Sequence, residues 1–379
     1  MATSRWMILA VSTLAFLQVH VHRVGVAPLI PTFIADLSLT YAGAGAIMTA
    51  YFWTYTGAQI PIGVLTDRWG ARRVMIVFVA ILALGVVVFP MSRSWGQSVL
   101  ARALVGLGAA AVWVPSLRLI SEWFSAHERG WVMGILSAGG GVGGTLGLLV
   151  VPLLADRWGW RLGYAVTVIP VLLTLALIVL FIRSAGGEDR GGRRGVAQGI
   201  AGGRPAGNWG NLTALWVVLG TPALWPFNVT ALLFYGAFFS LVTWVPTFLV
   251  QHGASESQAG FVTSLIAAGT IVSWPLAGFL TDRLGQRKAI LLVSQALTCV
   301  VSLAFAWVVP ELPIWGAAGV ALGTGIVVGG MIIPFVVVTE LFPRELAGTA
   351  AGVLNTFFFI GGLSVPVLLG RVVDLTGSF

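Results

Sequence analysis

Two stretches decide the fold: Gly63-Val64-Leu65-Thr66-Asp67-Arg68-Trp69-Gly70-Ala71-Arg72-Arg73 and, in the second half of the chain, Gly278-Phe279-Leu280-Thr281-Asp282-Arg283-Leu284-Gly285-Gln286-Arg287-Lys288. Each is a short charged loop between long apolar runs. A loop that returns so far along the chain, with the same flanks, implies two similar helical bundles made by one chain.

The apolar runs identify the solvent. The chain has 379 residues, of which 58% are hydrophobic and 9% charged, and its mean hydropathy is +0.95. Soluble domains carry about a quarter of their residues as charges. Runs near twenty residues long cross about 30 Å of hydrocarbon as helices. The expected class is therefore an all-α polytopic membrane protein. The 49 glycines fit, because small residues let helices approach closely in lipid. The lone Cys299 excludes an internal disulfide. The first apolar run is too long for a signal-peptide core and reads as a retained helix.

Eleven spans are expected, at 6–34, 42–64, 73–92, 96–118, 130–155, 161–182, 222–250, 257–280, 289–309, 313–339 and 347–370. With the N-terminus in the cytoplasm, 15 of the 21 Lys and Arg lie on the cytoplasmic side and 4 on the other. That bias satisfies the positive-inside rule and orients the chain in a cytoplasmic (inner) membrane. The net charge of +8 is thus topological, and no nucleic acid is expected as a partner.

The expected organisation is an N-terminal bundle at 1–183, a Gly- and Arg-rich cytoplasmic linker at 184–213, and a C-terminal bundle at 214–379. Glu122-Trp123-Phe124 returns as Glu340-Leu341-Phe342, and Asp156 returns as Asp374 in the same register. In that register the sixth span has its counterpart beyond Phe379. The second bundle is therefore expected to lack the twelfth helix, by truncation or by design.

The repeated Gly-x-Leu-x-Asp-Arg-x-Gly-x-Arg pattern resembles the signature of the major facilitator superfamily, along essentially the whole chain. The resemblance implies two pseudo-symmetric six-helix bundles and transport by alternating access. Gly70 and Gly285 suit a sharp turn. Asp67 and Asp282 can pair with arginines or cap a helix N-terminus. In the family, such contacts latch the inner gate. The candidate gating set is Asp67, Arg68, Arg72, Glu122, Arg129, Asp282, Arg283 and Glu340; solvated loop charge is the alternative for the arginines. The Gly139-Gly140-Gly141-Val142-Gly143-Gly144 run follows no strand, so it reads as close helix packing and not as a nucleotide loop.

Ionisable groups within spans are functional by default. His20, His22 and Arg23 lie in the first span and Arg102 in the fourth. His20 and Arg23 share a helix face, and a guanidinium matches a carboxylate fork. The alternatives are snorkelling for Arg23 and a structural or gating role for Arg102. Tyr51, Tyr55 and Gln59 form one polar stripe. Asn228, Tyr235 and Asn355 are candidates from the second half.

His22-Arg23, Ala27-Pro28, Phe52-Trp53-Thr54-Tyr55, Gln59-Ile60-Pro61, Gly159-Trp160-Arg161 and Trp244-Val245-Pro246-Thr247 resemble the anion:cation symporter family. That family includes sugar-acid and vesicular glutamate transporters. The resemblance implies that Arg23 contacts the substrate carboxylate. Two positions depart from it: His22 stands where an acid is common, and Ala109 where a glutamate is expected. No Asp or Glu falls within a span, so either a histidine titrates in place of the usual carboxylate or transport is not proton-coupled by that route.

The sequence thus predicts a monomeric secondary transporter of a small organic anion. Its partners are the anionic substrate, the bilayer and a coupled proton or other ion; no cofactor, metal or catalytic residue is expected. Efflux of drugs or neutral metabolites on the same fold, and a transport-inactive sensor, are the alternatives. An enzyme is excluded by the lack of any nucleophile–base or metal constellation.

Overall fold

A computed structural model describes residues 5–124, 129–183, 211–284, 286–342 and 344–377. Most of the expected linker at 184–213 lies outside the described residues. The described chain is helical, with no strand among its elements. In order the helices are α1 (Arg5–Val24), α2 (Ile30–Leu37), α3 (Tyr41–Trp69), α4 (Ala71–Val88), α5 (Trp95–Ala110), α6 (Trp113–Trp123), α7 (Arg129–Val166), α8 (Val168–Phe181), α9 (Asn211–Leu219), α10 (Trp225–Gln251), α11 (Glu256–Leu284), α12 (Arg287–Trp307), α13 (Ile314–Val327), α14 (Ile333–Leu341) and α15 (Arg344–Thr376).

Eight stretches among the described residues are long and apolar enough to cross a bilayer. The sequence predicts eleven spans, and the difference has physical sources. One stretch, Ile135–Phe181, is 47 residues long, about twice what one crossing needs, and the backbone breaks inside it at Gly159, where φ is 76°. Helices α3 and α11 have 29 residues each, but their glycines, hydroxyls and terminal charges dilute their apolarity.

Local chemistry sets the breaks. Pro28 has no N–H to give, so the first helix stops at Val24 and restarts as α2 after a 3-10 turn at Ala27–Leu29. Thr40 caps α3 by accepting from Gly43 N–H at 3.0 Å, and Ser94 caps α5 by accepting from Gln97 N–H at 3.4 Å. Gly70, at φ 81°, makes the turn between α3 and α4, as its place in the loop motif predicts. Gly285 lies outside the described residues.

The glycine run packs as the sequence predicts. A Cβ on Gly139, Gly143 or Gly147 of α7 would run into Thr13, Leu17 or Val21 of α1. The second half repeats this seam. Gly361 of α15, the repeat counterpart of Gly143, presses on the carbonyl of Leu232 of α10, the counterpart of Leu17. Thus α1 and α7 pair as α10 and α15 do, and the repeat in sequence is a repeat in packing.

The two helix sets meet along α7 with α11 and along α3 with α15. At one end of the molecule, called the far face because it is opposite the loop motifs, the seams are tight. Asp374 accepts from the N–H groups of Tyr41 and Ala42 at 2.8 and 3.0 Å. Tyr41 meets Trp244 edge to face with ring centres 6.0 Å apart, and Thr32 donates to Glu256. Aromatic contacts close the level below: Phe52 lies 4.5 Å from Phe239 and Tyr55 lies 5.8 Å from Phe359, ring centre to ring centre.

Candidate functional site

A cavity of about 440 Å³ lies between the two sets, lined from α1, α6, α7, α10 and α11. Its walls are mainly apolar: Phe16, Trp113, Leu148, Phe238, Phe239, Val242 and Ile271, with glycines of the α7 run. The polar groups reaching it are His20, Arg23, Ser137, Tyr235 and Thr270. Such a site, an apolar concavity with a few placed polar groups, suits a small molecule.

Arg23 is its charge. The side chain is 9% exposed. Its guanidinium carbon sits 4.7 Å from the centre of the Tyr55 ring and 5.5 Å from that of Tyr51, within cation–π range. Nη1 lies 3.2 Å from His20 Nε2, and His20 Nδ1 lies 3.0 Å from Phe16 O. An arginine only donates, and so does the Nδ1 that faces a carbonyl. These two bonds therefore match the neutral Nδ1–H tautomer of His20. Arg23 Nε and Nη2 are buried and make no hydrogen bond of ordinary length and angle, with the Tyr51 hydroxyl beside the guanidinium, and no described Asp or Glu forms an ion pair with it. A buried cation with donors to spare and no counter-charge is costly unless an anion arrives.

Arg102 has a different task. It is fully buried and donates from Nη1 to His22 O at 2.7 Å and from Nη2 to Arg23 O at 3.3 Å. Those are carbonyls that the break after α1 leaves without helical donors. Arg102 thus fixes the end of the helix that carries Arg23.

Of the sequence candidates, the structure brings His20, Arg23 and Tyr235 to the cavity wall. Tyr51 and Tyr55 stand behind Arg23, their rings stacked 5.7 Å apart. His22 is fully buried against Tyr164, both ring nitrogens unbonded, and does not face the cavity. Gln59, Arg102, Asn228 and Asn355 do not line it either; Asn228 is fully buried with an unpartnered amide, and Asn355 is exposed.

The gating set divides too. Glu122 bonds Arg118 at 2.9 Å, and Arg118 also donates to Thr66 O at the end of α3. Arg72 donates to Val179 O at 2.8 Å, within its own half. Arg68 and Arg283 are exposed. The side chains of Asp67, Arg129, Asp282 and Glu340 lie outside the described ones. Sequence reasoning missed Trp113, Ser137, Thr270 and Arg118. The first three are ordinary span residues with no periodic signal; Arg118 could have been found from its place one helical turn before Glu122.

Two related helix sets around a central cavity define a membrane transporter. Residues 8–366 match the Major Facilitator Superfamily, and the chain belongs to it. It is a multi-pass membrane protein and not an enzyme. Over 393 aligned residues it is 24% identical to the probable sulfoacetate transporter SauU of Cupriavidus necator, covering 99% of this chain and 89% of that one. It is 26% identical to the probable galactarate/D-glucarate transporter GudP of Escherichia coli, covering 91% and 81%. A bacterial homologue of the human lysosomal transporter Spinster, solved inward-facing and unoccupied, superposes with a TM-score of 0.80 at 21% identity, covering 98% of this chain and 85% of that one.

Proposed function

We propose that this protein is a secondary transporter of a small organic anion with a largely apolar body, working by alternating access. The observation that carries the reading is Arg23, a buried guanidinium with two unbonded nitrogens at the edge of an aromatic cavity. Arg23 would take the carboxylate in its fork. His20 would orient the guanidinium, and Tyr51 and Tyr55 would hold it from behind. Tyr235 would meet the cargo from the second half, so that both halves grip one molecule.

The relatives named for sulfoacetate and glucarate support an anion. The walls favour an apolar body over a polyhydroxylated one. A sugar acid presents a hydroxyl on nearly every carbon, and each needs a partner when it leaves water. The cavity offers few. Efflux of hydrophobic cations is disfavoured by the charge of Arg23.

We assign the motif face to the cytoplasm, residues 1–183 and 214–379 to the two bundles, and the Arg118–Glu122 pair to the inner gate. In this assignment the far-face seams are the closed outer gate, and the cavity belongs to the inward-facing state. Counterflow in proteoliposomes tests the reading: loading with aliphatic or aromatic monocarboxylates accelerates label entry in the parent and not in Arg23→Ala. Exchange of hydrophobic cations with no response to any acid would refute it.

A further inference from the structure

Two carboxylates meet at the far-face end of the α7–α11 seam, and among the described residues no cation answers them. Gly260 of α11 packs so closely on Leu148 and Pro152 of α7 that a Cβ there would sit 2.5 Å from the Pro152 ring. The helices run antiparallel. One turn further toward the far face, α11 therefore presents Glu256 and α7 presents Asp156. Thr32 of α2 reaches across the seam and donates to Glu256.

The counterpart seam differs. Tyr41, the repeat counterpart of Glu256, opens α3, and Asp374, the counterpart of Asp156, caps it through the Tyr41 and Ala42 N–H groups. One seam is thus closed by a carboxylate on helix N–H donors; the other sets a carboxylate against a carboxylate. Nearby cations are engaged elsewhere or point to solvent. Arg161 pairs with Asp36 at 2.7 Å, Arg157 is exposed, and His252 after α10 bonds Phe248 O through Nδ1 at 2.8 Å. Glu311, before α13, adds only negative charge.

We propose that Glu256 is a proton-binding latch of the far-face gate, so that the pH of the far compartment sets how readily this end of the transporter opens. With a proton, Glu256 lies against Asp156 and Thr32 and the seam stays shut; without it, two negative charges push α7 and α11 apart. The Glu256 carboxyl is pushed up to about 7, by partial burial first and by Asp156 second. Once the seam parts, water and distance from Asp156 remove both causes, and the carboxyl falls back toward the ordinary carboxylate range. The sign follows from linkage. Closure by the proton is complete below about 4.5, weakens as pH rises from there to about 7, and is gone above. The device rests on alternating access but not on the identity of the cargo.

The test needs no substrate. Spin labels at Arg93→Cys and Trp315→Cys, both exposed on the far face in opposite halves, in a Cys299→Ala background, report the gate in nanodiscs by pulsed dipolar spectroscopy. The long-distance population should rise roughly tenfold per pH unit between about pH 5 and 7 and then level off. Glu256→Gln should stay closed throughout. Asp156→Asn, which removes the neighbouring charge, should level off at lower pH. A pH-independent parent, a pH response that survives in Glu256→Gln, or an unshifted Asp156→Asn profile would overturn the proposal. None of these results bears on whether the cargo is an anion.

Discussion

Arg23 Nη1 and His20 Nε2 lie 3.2 Å apart, one turn from each other on α1. The contact turns one edge of the guanidinium toward the helix and leaves Nε and Nη2 unbonded. Replacing Arg23 removes the charge and the fork together. The two hydrogen bonds of the fork, each to a charged group, contribute about 3–6 kcal/mol together. Arg23→Ala should therefore weaken anion binding by at least about 100-fold. Arg23→Lys should recover only part of it, since an ammonium is a point donor. Equilibrium binding to purified protein checks both.

His20 acts through Arg23. His20→Ala frees Nη1 and lets the guanidinium wander, which should raise Kd by about tenfold, or ~1.4 kcal/mol. His20→Gln, whose side-chain oxygen can accept from Arg23, should lie between Ala and the parent. A purely structural role for His20 would leave Gln and Ala alike in Kd while both lowered the melting temperature.

Arg102 should behave in the opposite way. Arg102→Met leaves the His22 and Arg23 carbonyls buried without donors, each worth about 1–3 kcal/mol. Thermal stability in detergent should fall by that order, with a smaller change in Kd for the protein that remains folded. A large loss of affinity at unchanged stability would place Arg102 in the binding site instead.

The small-residue seams give a matched pair. Gly143→Val and Gly361→Val each drive a side chain into a carbonyl of the facing helix and should each cost about 1–3 kcal/mol, the usual range for overpacking. Gly57→Ala meets nothing within 4 Å and should be neutral. Melting curves check all three.

Architecture was legible because periodicity and repeats are local facts of the chain. The paired loop motifs, the sharp turn at Gly70 and the glycine face of α7 follow from residue type and spacing alone. The cavity wall was legible where a residue was anomalous in lipid, as Arg23 and His20 are, and at the polar ring of Tyr235. Trp113 and Thr270 look ordinary in sequence and gain meaning only where helices converge. Tyr55 belongs to a polar stripe that the sequence shows, but the tertiary fold sets it behind Arg23 and off the cavity wall. Arg102 stood open between ligand contact and a structural or gating role, because its partners are backbone carbonyls, which no sequence pattern marks. Glu256 sits at a helix start, so a search for carboxylates inside spans passes over it.

The most direct measurement compares one acid with its neutral twin. Isothermal titration of the purified parent with an aromatic monocarboxylate, and with the corresponding primary amide, isolates the negative charge from the shape of the cargo. The account predicts that the acid binds and the amide binds at least about 100-fold more weakly, the scale of two charge-assisted hydrogen bonds, and that Arg23→Met abolishes the difference. Equal affinity for acid and amide in the parent, or a preference for the acid that survives in Arg23→Met, would contradict it.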